Sequence, residues 1–399
     1  MIDQLFGCEA LVCQIDKIMT QQGLFYNLLA FVGTFLTLWL VSRRKKHVVV
    51  YYLIMFLGCF LFDMLTAPMS HYIHLGEWAY IYRGVSWVMI MGFATILFAG
   101  VNMIDYVLPM IWSKIKLREW QKYLMSVGLI TVVLIFFEQL TVFGFLNVRV
   151  MAPETLRDFE TMRFFGTNVS GIEIGWTFVL AALLVAFYKY LSFAYEKRVF
   201  VPVKKAHLIR NTVIALIGIT LFELMISPMV TNVGFPSWTF FIFDITLVTV
   251  LAWAIIVAVS DWLVNKVMLG SSLFKRFVAT VSVASLMLLP LEWFFIERGY
   301  RVYTQSTMDN LSGFNFLWTN LPLEMIFSAL FYMALVVAFV KYWAIILDNK
   351  RLNTLMTNKK ISQEKDEEKK SKKKMSRAQI EKKTLKKKVS KVIKNKKSK

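Results

Sequence analysis

The sequence predicts an all-α, polytopic membrane helix bundle of about nine transmembrane helices, one N-terminal helix followed by two parallel four-helix repeats. Three observations predict it. Hydrophobic residues make up 57% of the chain and charged residues 18%, against roughly 45–50% and 25% in soluble domains. Apolar runs of the length a bilayer demands, about twenty residues, recur nine times along the 399 residues. The segment Leu61-Phe62-Asp63-Met64-Leu65-Thr66-Ala67-Pro68-Met69 returns as Leu221-Phe222-Glu223-Leu224-Met225-Ile226-Ser227-Pro228-Met229, at an offset of 160.

The predicted spans lie near 24–42, 48–67, 79–108, 122–146, 172–194, 210–230, 238–264, 276–297 and 321–347. Arg43, Arg44, Lys45 and Lys46 follow the first, so it reads as a reverse signal-anchor rather than a cleavable leader. Pro68 and Pro228 are expected to kink or end the second and sixth spans, because proline removes a backbone donor and clashes with the preceding turn. Basic clusters follow every odd span: Lys114, Lys116, Arg118 and Lys122 after the third, Lys197, Arg198, Lys204 and Lys205 after the fifth, Lys266, Lys275 and Arg276 after the seventh. The positive-inside rule then places the N-terminus outside and the C-terminus inside, as in a bacterial cytoplasmic membrane. Lys189 and Lys341, at equivalent places in the fifth and ninth spans, are expected to snorkel to the inner headgroups.

The formal charge is +20, of which +16 sits in residues 350–399. The expected organisation is therefore an N-terminal segment with the first helix (1–47), two four-helix repeats (48–200 and 201–349), and a disordered cytoplasmic tail (350–399). A partial apolar stripe among the tail lysines, Ile380, Leu385, Val389, Val392 and Ile393, fits a cationic helix lying on anionic lipid headgroups. A solvated tail that only enforces orientation fits equally. The basic excess belongs to a tail, so no nucleic-acid partner is expected; the expected partners are the bilayer and a lipid-like substrate.

Cys8, Cys13 and Cys59 are too few for a disulfide scaffold, and the first two read as free thiols. Four scattered histidines exclude a His-rich diiron centre, and His71 with His74 is a weak metal signal. No phosphate-binding or dinucleotide-binding glycine pattern stands out. No metal or cofactor is expected.

Further correspondences extend the repeat. Gly58 matches Gly218 and Trp78 matches Trp238; Glu138 pairs with Glu292, Arg149 with Arg301, and Val185 to Tyr190 with Val337 to Tyr342. Polar residues recurring in order are not what apolar composition alone produces. Each half begins on the same side, so the repeats are parallel, related about the membrane normal.

Ionisable residues in a bilayer cost about 2.5–3.5 kcal/mol each on insertion scales and face a bundle interior. Here they are Asp63, Glu138, Glu173, Glu223, Asp244, Glu292 and Glu324, with Arg83, Arg149 and Arg301 as neighbouring cations. The predicted topology puts most of them in the outer halves of their spans, where they can converge on one cavity. The plainer reading is that acids pair with arginines to fasten helices.

The run Leu289-Pro290-Leu291-Glu292-Trp293, then Tyr300-Arg301-Val302-Tyr303, Gly313 and Leu321-Pro322-Leu323-Glu324, resembles the small membrane lycopene cyclases. It is similar in general plan to the membrane carotenoid hydratases. Where that pattern has two consecutive acids, the second place here is Met325. The resemblance implies an integral membrane enzyme acting on a carotenoid or related isoprenoid by acid/base, non-redox cyclisation or hydration. Glu292 and Glu324 would be the leading acid/base candidates, with Glu138 and Glu173 as their counterparts. Asp63, Glu223, Arg149, Arg301 and Asp244 would line the substrate site. Such chemistry needs no redox cofactor: a carboxylic acid held in hydrocarbon keeps its proton and can donate it to a C=C bond. The alternative is a transporter or lipid-handling protein whose parallel repeats rock and whose acids couple to protons.

Overall fold

The computed structural model describes residues 19–82, 84–111, 117–143, 145–152, 155, 171–196, 208–242, 244–268, 270–309, 311–316, 319 and 321–348. Cys8, Cys13, Arg83 and the tail lie outside these. Among the described residues, nine helices are long and apolar enough to cross a membrane. The cores are α1 (Gln21–Ser42), α2 (Val48–Thr66), α3 (Trp87–Asn102), α4 (Glu119–Glu138), α5 (Gly171–Tyr195), α6 (Leu208–Ile226), α7 (Leu247–Val267), α8 (Leu273–Glu297) and α9 (Glu324–Asp348). Met1–Ile345 forms one compact unit; Ile346–Lys399 is a second, of which only residues 346–348 are described.

The helices start and stop where the sequence chemistry dictates. Thr20 caps α1, accepting from the Gly23 amide at 3.2 Å. Ser86 and Thr246 cap α3 and α7 in the same way. These short hydroxyls take up a backbone donor that the first helical turn leaves free. Pro68 and Pro228 follow directly on the ends of α2 and α6.

Sequence periodicity misses four two-stranded ribbons. Strands β1 (Ser70–Tyr72) and β4 (Arg149–Met151) pair antiparallel, with Tyr72 opposite Arg149. Strands β2 (Tyr80–Tyr82) and β3 (Val85–Ser86) form a hairpin. Strands β5 (Val230–Asn232) and β8 (Arg301–Tyr303) pair with Asn232 opposite Arg301, and β6 (Phe240–Ile242) with β7 (Ile245–Thr246) form a second hairpin. The third and seventh spans therefore begin at Trp87 and Leu247, not at 79 and 238. Strands of two or three apolar residues are as hydrophobic as a helical turn, so periodicity does not separate them. The β1–β4 and β5–β8 pairs draw the ends of α2 and α4, and of α6 and α8, to one end of the bundle, called the ribbon end below.

Helix α5 packs against α2, α4, α6 and α8. Two close approaches recur. An added Cβ at Gly58 of α2 would lie 2.9 Å from the Phe187 ring of α5, and one at Gly218 of α6 would lie 3.0 Å from the Phe339 ring of α9. Only glycine leaves room for the aromatic ring at each crossing.

Away from the ribbons, Lys189 Nζ meets both carboxylate oxygens of Asp105 at 2.9 and 3.0 Å, and Lys341 Nζ bonds Asp261. Both lysines are buried. This corrects the snorkelling expectation: each ammonium finds a carboxylate inside the bundle, which replaces the water it would otherwise seek at the headgroups. Asp105 lies in a π-helical extension of α3, Met103–Val107.

Candidate functional site

The second half builds a polar cluster at the ribbon end. Glu223 comes from the last turn of α6 and Glu292 from the end of α8; Arg301 and Tyr303 project from β8. Arg301 Nη2 donates to Glu223 Oε1 at 3.2 Å, and its Nε lies 3.0 Å from Glu292 Oε1. The Tyr303 hydroxyl donates to the same Glu292 oxygen at 3.1 Å. Burial alone would weaken the Arg301 cation, but Glu223 and then Glu292 outweigh it and hold its pKa above the ordinary value. Burial, with Glu292 beside it, pushes the Tyr303 phenol well above its ordinary value, so it stays a donor.

This cluster opens on a cavity of about 460 Å3, the size of pocket that holds one small organic molecule. Its walls are mostly apolar, from Leu65, Phe222, Trp253, Leu288 and Ala329 among others. Its polar groups include Glu292, Arg301, Tyr303, Glu324, Tyr332 and, from the first half, His71. Glu324 opens α9; its Oε1 accepts from the Ser312 amide at 2.5 Å, while its Oε2 is buried with no hydrogen-bond partner. Phe314, Leu323 and Phe327 line the cavity and are also exposed, which marks where it meets the surface.

The first half places the corresponding residues around a void of only about 20 Å3. Arg149 Nη1 donates to Glu138 at 2.5 Å and its Nε to Ser70 at 3.0 Å. The Tyr72 hydroxyl donates to Asp63 at 2.7 Å. Burial and the Asp63 carboxyl raise the Tyr72 pKa well above its ordinary value. Counterparts line both spaces: Phe62 and Phe222, Phe93 and Trp253, Leu134 and Leu288, Glu138 and Glu292, Arg149 and Arg301.

One pair of lining residues differs sharply in bulk. Trp176 fills the first site; its counterpart in the second is Ser328. The indole ring lies 5.6 Å from the Phe62 ring and 5.8 Å from the Arg149 guanidinium carbon, and its N–H donates to the Met225 carbonyl at 3.1 Å.

Of the residues expected at the site, Glu292, Glu324 and Arg301 share the large cavity, and Glu138, Arg149 and Asp63 share the small one. Glu223 pairs with Arg301 behind the large cavity. Glu173 is fully buried but lines neither space; it accepts from Gln139 Nε2 at 2.9 Å. At the offset of 152 that aligns the fifth span with the ninth, Glu173 stands against Met325 and Glu324 against Ile172, so the two glutamates are not counterparts. Asp244 lies exposed in the β6–β7 turn, away from both cavities, and its carbonyl accepts from Asn232 at 2.7 Å. The sequence reading took His71 only as a weak metal signal and gave Tyr303 and Tyr332 no role at the site, because single polar aromatics in apolar surroundings resemble interfacial belt residues. Asp105 and Asp261 were also missed, although their common relation to Lys189 and Lys341 was a usable signal. No family model, curated protein or solved structure matches the chain.

Proposed function

We propose that the chain is an integral membrane enzyme that acts on a carotenoid or related isoprenoid lipid by acid/base, non-redox cyclisation or hydration, as its resemblance to the membrane lycopene cyclases implies. The supporting observation is that two carboxyl groups in different bonding states, Glu292 and Glu324, line one apolar cavity. Glu292 is held by Arg301 and Tyr303, so it is the proton acceptor. Glu324, with Oε2 uncommitted, is the proton donor. In cyclisation the Glu324 proton adds to a terminal C=C, and a second C=C of the chain attacks the resulting carbocation to form the ring bond. Glu292 then removes a neighbouring C–H proton. Atoms and charge balance without an oxidant. The Tyr332 and Phe222 rings, with centroids 3.9 Å apart on the wall, supply aromatic surface beside the cation in transit.

We also read the two halves as parallel repeats. The ribbon registers, the glycine–phenylalanine contacts, the arginine–glutamate pairs and the lysine–aspartate pairs all recur at corresponding positions, which supports a common ancestral unit.

Lipid profiling of cells that accumulate linear carotenoids, with and without the protein, tests the enzymatic reading. A new cyclised or hydrated product should appear with the native chain. It should vanish with Glu324→Gln at equal folded protein, because the amide keeps the shape without the acidity. An unchanged chemical profile, with isoprenoid merely redistributed between leaflets, would favour the transport alternative.

A further inference from the structure

The cavity walls leave several buried polar atoms without hydrogen-bond partners. They are Arg301 Nη1, His71 Nε2, the Tyr332 hydroxyl and Glu324 Oε2. Arg301, His71 and Tyr332 are 4%, 4% and 6% exposed. Leaving a buried donor or acceptor unmet is costly, so several on one wall amount to a standing demand for a polar partner. The first half supplies an internal control. Arg149 is equally buried, but its Nη1 donates to Glu138 and its Nε to Ser70. The open valence of Arg301 is therefore a property of the large cavity and not of a buried arginine in this fold.

The groups also define the charge of what they would bind. Arg301 already meets two carboxyl groups, Glu223 and Glu292. A third acidic group would compete with both in a low-dielectric site. Burial lowers the pKa of His71, which favours the neutral ring and a single hydrogen bond at Nε2. A hydroxyl or carbonyl oxygen matches this set: it accepts from Arg301 and Tyr332, and a hydroxyl can donate in return.

We infer that the large cavity binds a neutral isoprenoid lipid by an oxygenated end, a hydroxyl or carbonyl seated among Arg301, His71 and Tyr332, with its hydrocarbon running out past Phe327. This rests on the reading of the cavity as the isoprenoid site, and it narrows the ligand from a plain hydrocarbon to an oxygen-bearing one. It also gives His71, on β1 of the first half, a place in a site otherwise built largely by the second.

The test uses the full chain in detergent micelles and three probes: geranylgeraniol, the hydrocarbon of the same skeleton, and geranylgeranyl phosphate. Binding is followed by thermal stabilisation. Geranylgeraniol should bind about tenfold more tightly than the hydrocarbon, the worth of one or two net hydrogen bonds, and more tightly than the phosphate. Tyr332→Phe should remove about threefold or more of that preference. Ser328→Trp, copying the first half, should abolish binding of all three. Equal affinity for alcohol and hydrocarbon, tightest binding of the phosphate, or no binding of any probe would overturn the inference. The acid/base reading is scored separately by Glu324→Gln turnover. Hydrocarbon turnover that depends on Glu324, with no alcohol preference, would keep that reading and end this one. Alcohol preference without any Glu324-dependent product would do the reverse.

Discussion

His71 shows how one residue separates the two halves. Its counterpart at the 160 offset is Thr231, half-exposed on β5, whereas His71 is buried against Gly84, where an added Cβ would lie 2.7 Å from its Nδ1. Burial holds its imidazole below the ordinary value of 6.5. The unfolded chain therefore takes up a proton near pH 6.5 that the folded chain accepts only at lower pH. The stability contributed is fully present above that value and is lost as pH falls through the folded-state pKa. His71→Gln should flatten the decline of Tm between neutral and mildly acid pH in detergent, and an unchanged slope would show that His71 does not set it. Glu292, Arg301 and Glu324 were legible in the sequence because a charge inside an apolar run demands an explanation. His71, Tyr332 and Ser328 were not, because their meaning depends on which helix faces them and on what stands at the matching place in the other half.

At the scale of elements, the lysine–aspartate pairs tie the long helices together away from the ribbons. Lys341 joins α9 to α7, and Asn211 of α6 donates to the same Asp261 at 3.2 Å. Removing one member of a buried pair strands the other charge. Lys341→Met should therefore destabilise the protein by about 3–5 kcal/mol, and Lys341→Met with Asp261→Leu should recover most of that loss. Unfolding of both variants in detergent with added denaturant measures it; equal losses would mean that packing, and not the stranded carboxylate, sets the cost. The spans themselves were legible because twenty apolar residues have few other fates. The ribbons were not: strands of two and three residues carry no period, and they exist because α2 and α4, like α6 and α8, deliver them side by side.

For the molecule as a whole, the basic clusters after the odd spans predict that the ribbon end faces out. Reporter fusions after Lys46, in the 150–165 loop and after Lys350 should read inside, outside and inside. An inside signal from the 150–165 loop would invert the molecule. The recurring polar residues were legible in the sequence, but the unequal size of the two spaces was not, since only the fold shows that Trp176 lines the small one and Ser328 the large one. The exposed residues lining the large cavity, Phe314, Leu323 and Phe327, belong to α9 and the segment leading into it. The matching space in the other half holds an indole instead of a guest. The cavity beside α9 thus has a doorway, where the small space beside α5 has a wall. On the proposed reading, a lipid that enters and leaves past Phe327 changes its chemistry without changing its leaflet.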